Sequence, residues 1–432
     1  MDHLGLDLGT TTISAAVLDA DGRLLCTRTV PGGAAVAGQP WERKQDARGI
    51  EHAALSLLDG LLQEFPDIGC VGLTGQMHGI VYVDAAGQLL SPLYTWQDET
   101  GAQPGPDGKS TAARLTERTG YPLASGYGLV TLACHQAAGT IPNGAAAVCT
   151  IADYLAMRLS GRSAPCLTPS MAASLGLFDG TGFDREAVRR AGLPEQLLPE
   201  VSEEAELGGG RLRVFAALGD NQASFLGAGQ GRLDAPLVNI GTGSQFSFFT
   251  KERLTVPGLE TRPFPGGWLL TGAPLCGGRS FALLERFFRQ TAELVTGTPC
   301  PSAYPAMLRA LEAPMPDDVP QFRTTFAGTR QDPAERAVLS GLDEENFAPV
   351  PLLHALLRGM ADELSACYRA ALKAGCAPAG RLLGSGNGLR RNPALQRAVE
   401  RSFGLPLTLA AVPEEAACGA ALFARMQHEA AL

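Results

Sequence analysis

The chain has 432 residues, 45% of them hydrophobic, and a formal net charge of −9. That length predicts two or more domains, each with its own core. The acidic balance argues against nucleic acid or an anionic membrane as partner, yet leaves room for a small anion held by local donors, because screening over ~8 Å makes local groups decide there. No run reaches the ~18 apolar residues of a membrane span. The opening MDHLGLDLG lacks a basic segment followed by an apolar one. Ten cysteines, Cys276 and Cys418 among them, show no C-x-x-C pair and no Cys/His metal spacing. A soluble, cytoplasmic chain with reduced core cysteines is expected.

In chain order, LGLDLGTTTISAAVLD (Leu4 to Asp19) alternates leucine with glycine and aspartate, then runs apolar from Ile13 to Leu18. This predicts strand, turn, strand. The turn, Gly9 to Thr12, combines a glycine that lets a ligand approach the backbone with three hydroxyls and adjacent N–H groups that can converge on one anion. Phosphate is the anion it suits; an ordinary hairpin is the plain alternative. HAALSLLDGLLQEF (His52 to Phe65) has helical apolar spacing and CVGLTG (Cys70 to Gly75) follows as a strand.

GLTGQMHGIVYVD then places Gln76, Met77 and His78 between glycines at a strand end, where open α/β sheets bind ligands. Those side chains suit hydroxyls and an apolar face; a histidine buried for structural reasons is the alternative. In YTWQDET, Trp96 and Asp98 offer an aromatic plate beside a carboxylate, a combination that suits a polyol. GAQPGPDGKST reads as an exposed loop, and its GKST is no phosphate loop, because Gln103 stands where that motif needs glycine.

Farther on, VFAALGDNQASFLGAG reads as a strand to Leu218, then Gly219-Asp220-Asn221 opening a helix. Asp220 is there either a helix cap or a general base that accepts a hydroxyl proton. PLVNIGTGSQFSFF (Pro236 to Phe249) repeats the opening pattern, Asn239 to Ser244 echoing Asp7 to Thr12. Two such units, each opening about half the chain, predict a duplicated α/β domain with a cleft between the copies. The expected domains are 1–235 and 236–432. EAPMPDDVPQ reads as a loop. RLLGSGNGLRRNPALQRAVERSFGLPLTLA (Arg381 to Ala410) reads as strand, Gly-rich loop, helix and strand, with Asn392 as N-cap, Pro393 at the first helical position and Gly404 past the end. Dinucleotide, serine-hydrolase and zinc-protease signatures are absent.

These segments, in this order and over the whole length, resemble the FGGY family of carbohydrate kinases, whose fold is a duplicated actin-like, ribonuclease-H-like α/β domain with an interdomain cleft. The resemblance implies an ATP-dependent kinase acting on a terminal hydroxyl of a ketose. By it, Gly9, Thr10, Thr11 and Thr12, together with Gly241, Thr242 and Gly243, face the phosphates. Gly384, Gly386 and Asn387 line the nucleotide pocket, Asp7 orients hydrated Mg²⁺, and Asp220 is the catalytic base. Gln76, Met77, His78, Trp96, Asp98 and Asn221 form the sugar set.

TWQD and SMAASLGLFDGTGFD resemble the sedoheptulose kinases of the family more than the xylulose kinases, which usually carry Asn at the place of Gln97. Two departures concern the sugar: Glu99 and Thr100 follow Asp98 where the family usually continues to an arginine, and FAGTRQDP copies a Gly-Glu-Arg segment only loosely, with Thr329 in the glutamate's place. The implied partners are ATP and a small sugar, without nucleic acid or membrane; the oligomeric state stays open, a homodimer included. D-Xylulose, another pentulose or a polyol is the alternative substrate. A non-catalytic actin-like nucleotide-binding protein is the alternative from another class.

Overall fold

A computed structural model of the chain describes residues 1–208, 210–274, 277–329, 332 and 334–430. It divides into two compact units, one of Met1–Gly231, Pro263–Pro265 and Val412–Leu432, the other of Arg232–Arg262 and Gly266–Ala411.

The first unit is built on β1 (Asp2–Leu8), β2 (Thr12–Leu18), β3 (Leu24–Pro31), β4 (Ile68–Gly75) and β5 (Arg213–Phe215). The β1–β2 and β2–β3 pairs are antiparallel, whereas β4 runs parallel to β1 and β5 parallel to β4. The leucines of the alternating stretch, Leu4, Leu6 and Leu8, are buried, and so are Ile13, Val17 and Leu73. Each such side chain contributes roughly 1.5–3 kcal/mol of transfer free energy. The helix expected at His52 starts earlier, at Ala47, because Asp46 accepts from the Arg48 N–H as its cap; an N-cap is worth about 1 kcal/mol. The strand expected up to Leu218 is broken into β5 and a short Leu218–Gly219 strand, both paired with β4.

The second unit repeats this topology with β6 (Leu237–Ile240), β7 (Ser244–Thr250), β8 (Gly267–Gly272), β9 (Leu382–Ser385) and β10 (Leu407–Leu409). Again β6–β7 and β7–β8 are antiparallel, and β9 and β10 follow in parallel. Strand for strand, β6 stands for β1, β7 for β2 and β9 for β4, which is the duplication the echoing turns predict. Its core gathers Phe246, Phe248, Tyr368 and Phe403 around Leu356, Leu364 and Val399.

The sequence assigns 236–432 to the second domain, but Val412–Leu432 groups with the first unit. The C-terminal helix Glu415–Ala430 lies backbone to backbone on β1 and on the helix Asp220–Ala228. A Cβ added at Gly5 would stand 1.9 Å from the Ala417 carbonyl oxygen, and one at Gly419 would stand 1.8 Å from that of Ala223. Missing side chains make that contact. The segment Pro263–Pro265 joins the same unit because Gln222 Nε2 donates to the Pro263 carbonyl at 3.0 Å and the Phe225 ring stands edge-on to Phe264.

Among the described residues no helix is long and apolar enough to cross a membrane, and every described cysteine is a free thiol. Cys276, and Arg330, Gln331 and Pro333 of the FAGTRQDP stretch, lie outside the described residues. Thr329 in that stretch closes a turn on Asp332, which donates its N–H to the threonine hydroxyl at 2.9 Å.

Candidate active site

In the first unit Asp7 is the penultimate residue of β1, with Ser14 as its partner on β2 and Thr74 on β4. The Gly9–Thr11 turn follows. Burial, then the negative charges of Asp220 and Glu414, push the Asp7 carboxyl up to about 7. Two further carboxylates therefore bear on Asp7. Asp220 and Glu414 come from far along the chain, Asp220 as the first residue of the helix Asp220–Ala228 and Glu414 from just before the C-terminal helix. The cap position is taken by Gly219, so helix capping does not account for Asp220. Its approach is fixed from outside the helix: Gly219 N–H donates to Ser170 Oγ at 3.1 Å, and Ser170 in turn bonds Thr168, which donates to the Ala217 carbonyl.

Residues expected to bind the sugar are wired to the first turn. Trp96 Nε1 donates to Thr10 Oγ1 at 3.1 Å, and Gln45 Nε2 donates to the Thr10 carbonyl at 2.7 Å. Gln76 Nε2 donates to Gln45 Oε1 at 2.9 Å, leaving Gln76 Oε1 buried without a hydrogen-bond partner. An orphaned buried carbonyl costs ~1–3 kcal/mol, a deficit that a ligand hydroxyl would remove. His78 holds a left-handed backbone, φ 73°, a conformation costing on the order of 1–3 kcal/mol away from glycine. Ser174 supports it twice, accepting Nδ1 on its carbonyl at 2.7 Å and the backbone N–H on its hydroxyl at 3.2 Å. Since a carbonyl only accepts, Nδ1 carries the hydrogen. The ring also stacks on Tyr127, 4.7 Å between centroids.

Met77 packs beneath Gly219, where a Cβ would come within 2.9 Å of its sulfur. Asn221 is buried and Trp96 is half-exposed. Asp98 is buried and its two oxygens accept the N–H groups of Arg43 and Thr100, both at 2.9 Å, which ties the Trp96 loop down.

In the second unit the Gly241–Gly243 turn is closed by Gly241 N–H donating to the Gly243 carbonyl at 3.0 Å. It sits against the start of the helix Gly278–Thr296, whose Gly278 and Arg279 N–H groups donate to the carbonyls of Gly241 and Thr242. A Cβ at Gly277 would stand 2.1 Å from the Gly243 carbonyl oxygen. Gly384, Gly386 and Asn387 lie one strand over, because β9 pairs with β6. Gly386 has φ +87°, and a Cβ there would meet the Ile240 carbonyl at 2.5 Å. Asn387 begins a short helix to Arg390 inside the expected loop, while Asn392 caps the next helix and Gly404 ends it, as the sequence predicts.

Gln45, Ser174, Tyr127, Thr74 and Glu414 escaped the sequence reading. Ser174 lies inside the SMAASLG stretch and Gln45 faces the turn from a two-residue strand, Lys44–Gln45; neither carries a local pattern that marks it. Among the described residues no group of three or more His, Cys, Asp or Glu side chains could ligate a metal directly. The Asp7, Asp220 and Glu414 charges nevertheless fit a cation, and a hard ion that keeps its waters can be held from such carboxylates through its hydration shell. The Thr74 hydroxyl beside Asp7, buried and without a partner, suits a bound water or phosphate oxygen.

Residues 3–230 match the N-terminal domain of the FGGY family of carbohydrate kinases, and residues 237–428 match its C-terminal domain. A sedoheptulokinase of Mus musculus is 29% identical over 97% of this chain and 96% of its own. A xylulose kinase of Streptomyces coelicolor is 26% identical over 97% of this chain and 86% of its own. Among solved structures, xylulose kinase from Rhodospirillum rubrum superposes with a TM-score of 0.82 at 22% identity, covering 99% of this chain and 90% of that one. The chain belongs to the FGGY family, has its two-domain actin-like, ribonuclease-H-like fold, and is an ATP-dependent sugar kinase.

Proposed function

We propose that this FGGY kinase transfers the γ-phosphoryl group of ATP to the terminal hydroxyl of sedoheptulose, giving sedoheptulose 7-phosphate. What carries the choice of sugar is the similarity to a sedoheptulokinase along nearly the full length of both chains. The Gln76–Gln45–Thr10 bridge supports the kinase reading by joining the expected sugar set to the first turn.

In this reading Gln76, Met77, His78, Trp96, Asp98 and Asn221 hold the open-chain ketose. Asp220 accepts the terminal hydroxyl's proton as that oxygen bonds to phosphorus and the bond to the ADP oxygen breaks. The turns Gly9–Thr12 and Gly241–Gly243 hold the phosphates, and Gly384, Gly386 and Asn387 line the nucleoside. Magnesium bound with ATP would neutralise phosphate charge, and Asp7 would hold it through its water shell.

D-Xylulose is the second reading, favoured by the xylulose kinase similarity over the same share of this chain. Buried polar groups left unmatched by the wrong sugar cost roughly 1–3 kcal/mol each. The deciding measurement is kcat/KM for sedoheptulose against D-xylulose at saturating MgATP. Sedoheptulose is expected to win; a clear preference for xylulose overturns the sugar and leaves the kinase.

A further inference from the structure

Away from the residues of the candidate active site, the second unit holds a cavity of about 220 Å³ between the helices Pro349–Lys373 and Pro393–Phe403 and the loop that follows the helix Tyr304–Ala310. Arg397 and Arg401, one helical turn apart, line it together with His354. The remaining wall is Pro314, Met315, Ala394 and Ala398, with Glu312 as the single acid. Neither guanidinium has a carboxylate partner among the described residues: Arg397 donates to the Leu311 carbonyl at 3.0 Å, and Arg401 approaches Met315 Sδ at 3.3 Å. His354 is 95% buried and its Nε2 has no hydrogen-bond partner. Both guanidiniums are exposed and, among the described residues, carry no carboxylate, so one anion can pair with the two at once, and the buried imidazole nitrogen beneath them lacks a partner that such a group can supply.

We infer that this cavity binds a small phosphate-bearing anion, held by Arg397 and Arg401 and by a hydrogen bond to His354 Nε2. The planar fork of each guanidinium matches phosphate oxygens two at a time, which a halide or a neutral solute cannot use. A volume of about 220 Å³ admits a phosphate group with part of an ester attached, and the alanine and proline walls add no competing donor. That the cationic heads act on the histidine is visible in its acidity: burial first, then the charges of Arg397 and Arg401, hold the imidazole below its ordinary range. An anion between them would reverse that effect and favour the protonated ring. The inference does not rest on the identity of the sugar.

The test is calorimetric titration of inorganic phosphate into the full chain saturated with the non-hydrolysable MgAMP-PNP, so that the γ-phosphate position is filled as well. One further phosphate site is expected. Arg401→Gln should weaken it by roughly ten-fold or more, the scale of one charge-assisted pair, while Arg401→Lys retains part of the affinity and both variants melt near the parent temperature. A histidine NMR signal lost in His354→Gln should shift on phosphate addition in the parent. D-Ribose 5-phosphate as competitor separates the sources: displacement of phosphate identifies a site for phosphate esters, no displacement a site for the free ion. Absence of a phosphate site in the MgAMP-PNP-bound parent overturns the inference, and so does affinity that is unchanged in a folded Arg401→Gln.

Discussion

The two Gly/Thr turns, after Asp7 and after Asn239, are the same strand-turn-strand module used twice, and their surroundings differ in charge. In the first unit the strand before the turn carries Asp7 as its penultimate residue, with the charges of Asp220 and Glu414 acting on it. In the second the equivalent residue is Asn239, paired across β6 and β9 with Ser385. Both positions have a buried, partnerless hydroxyl beside them, Thr74 in one unit and Ser385 in the other. The backbone device is therefore duplicated while the acid chemistry is confined to one copy. The second copy is instead braced by a helix start and by glycines that leave space beside the turn. One module keeps its hydrogen-bonding frame as its copies specialise, because the frame depends on strand pairing and the charge depends on single side chains.

Substitutions at four positions would break or sharpen this contrast. Asp220→Asn removes the proposed base and should lower kcat by roughly 10²- to 10⁴-fold with ADP binding retained. Near-parent turnover in a folded protein would reduce the acidic copy to a phosphate clamp like the other.

Asp7→Asn makes the first turn resemble the second. Turnover at limiting Mg²⁺ should fall by roughly 10- to 100-fold, as for other residues that hold a metal's outer shell. The same variant tests the charges bearing on Asp7. The native Asp7 carboxyl keeps its proton up to about pH 7, whereas the unfolded one releases it near pH ~4. The folded state thus binds more protons in that window, and stability of the ligand-free protein falls as pH rises from ~4 to ~7. Urea midpoints across that range should slope downward in the parent and flatten in Asp7→Asn; parallel slopes would mean the three carboxylates do not load the fold.

Gly277→Ala addresses the other turn. Its Cβ has to displace the Gly243 carbonyl, so stability should drop by about 1–3 kcal/mol. KM for ATP should rise while the sugar's binding constant stays put. A change confined to the sugar would contradict the assignment of that turn to the nucleotide.

The smallest effect is expected from Gln45→Ala, which removes a bridge donating to the Thr10 carbonyl and accepting from Gln76. Loss of a hydrogen bond of about 1 kcal/mol predicts a several-fold rise in the sugar's KM. Gln45→Glu keeps the acceptor for Gln76 and loses the donor to Thr10, so it separates support of the sugar set from support of the turn. If neither variant moves KM, the two are not coupled through this residue.

By itself the sequence determined the module and its repetition. Alternating Leu4, Leu6 and Leu8, the echo of Asp7 to Thr12 at Asn239 to Ser244, and the cap signals at Asn392, Pro393 and Gly404 are local patterns, set by side-chain periodicity and backbone preference over a few residues. Only the tertiary structure decided which distant groups meet. Glu414 beside Asp7, Gln45 beneath Thr10 and Ser174 under His78 are separated from their partners by tens to hundreds of positions, and no periodicity encodes such pairs. The same holds for the C-terminal helix, which the halves of the sequence assign to the second domain. It joins the first because Gly5 and Gly419 let backbones touch, and a contact made by absent side chains becomes visible only once both surfaces are folded.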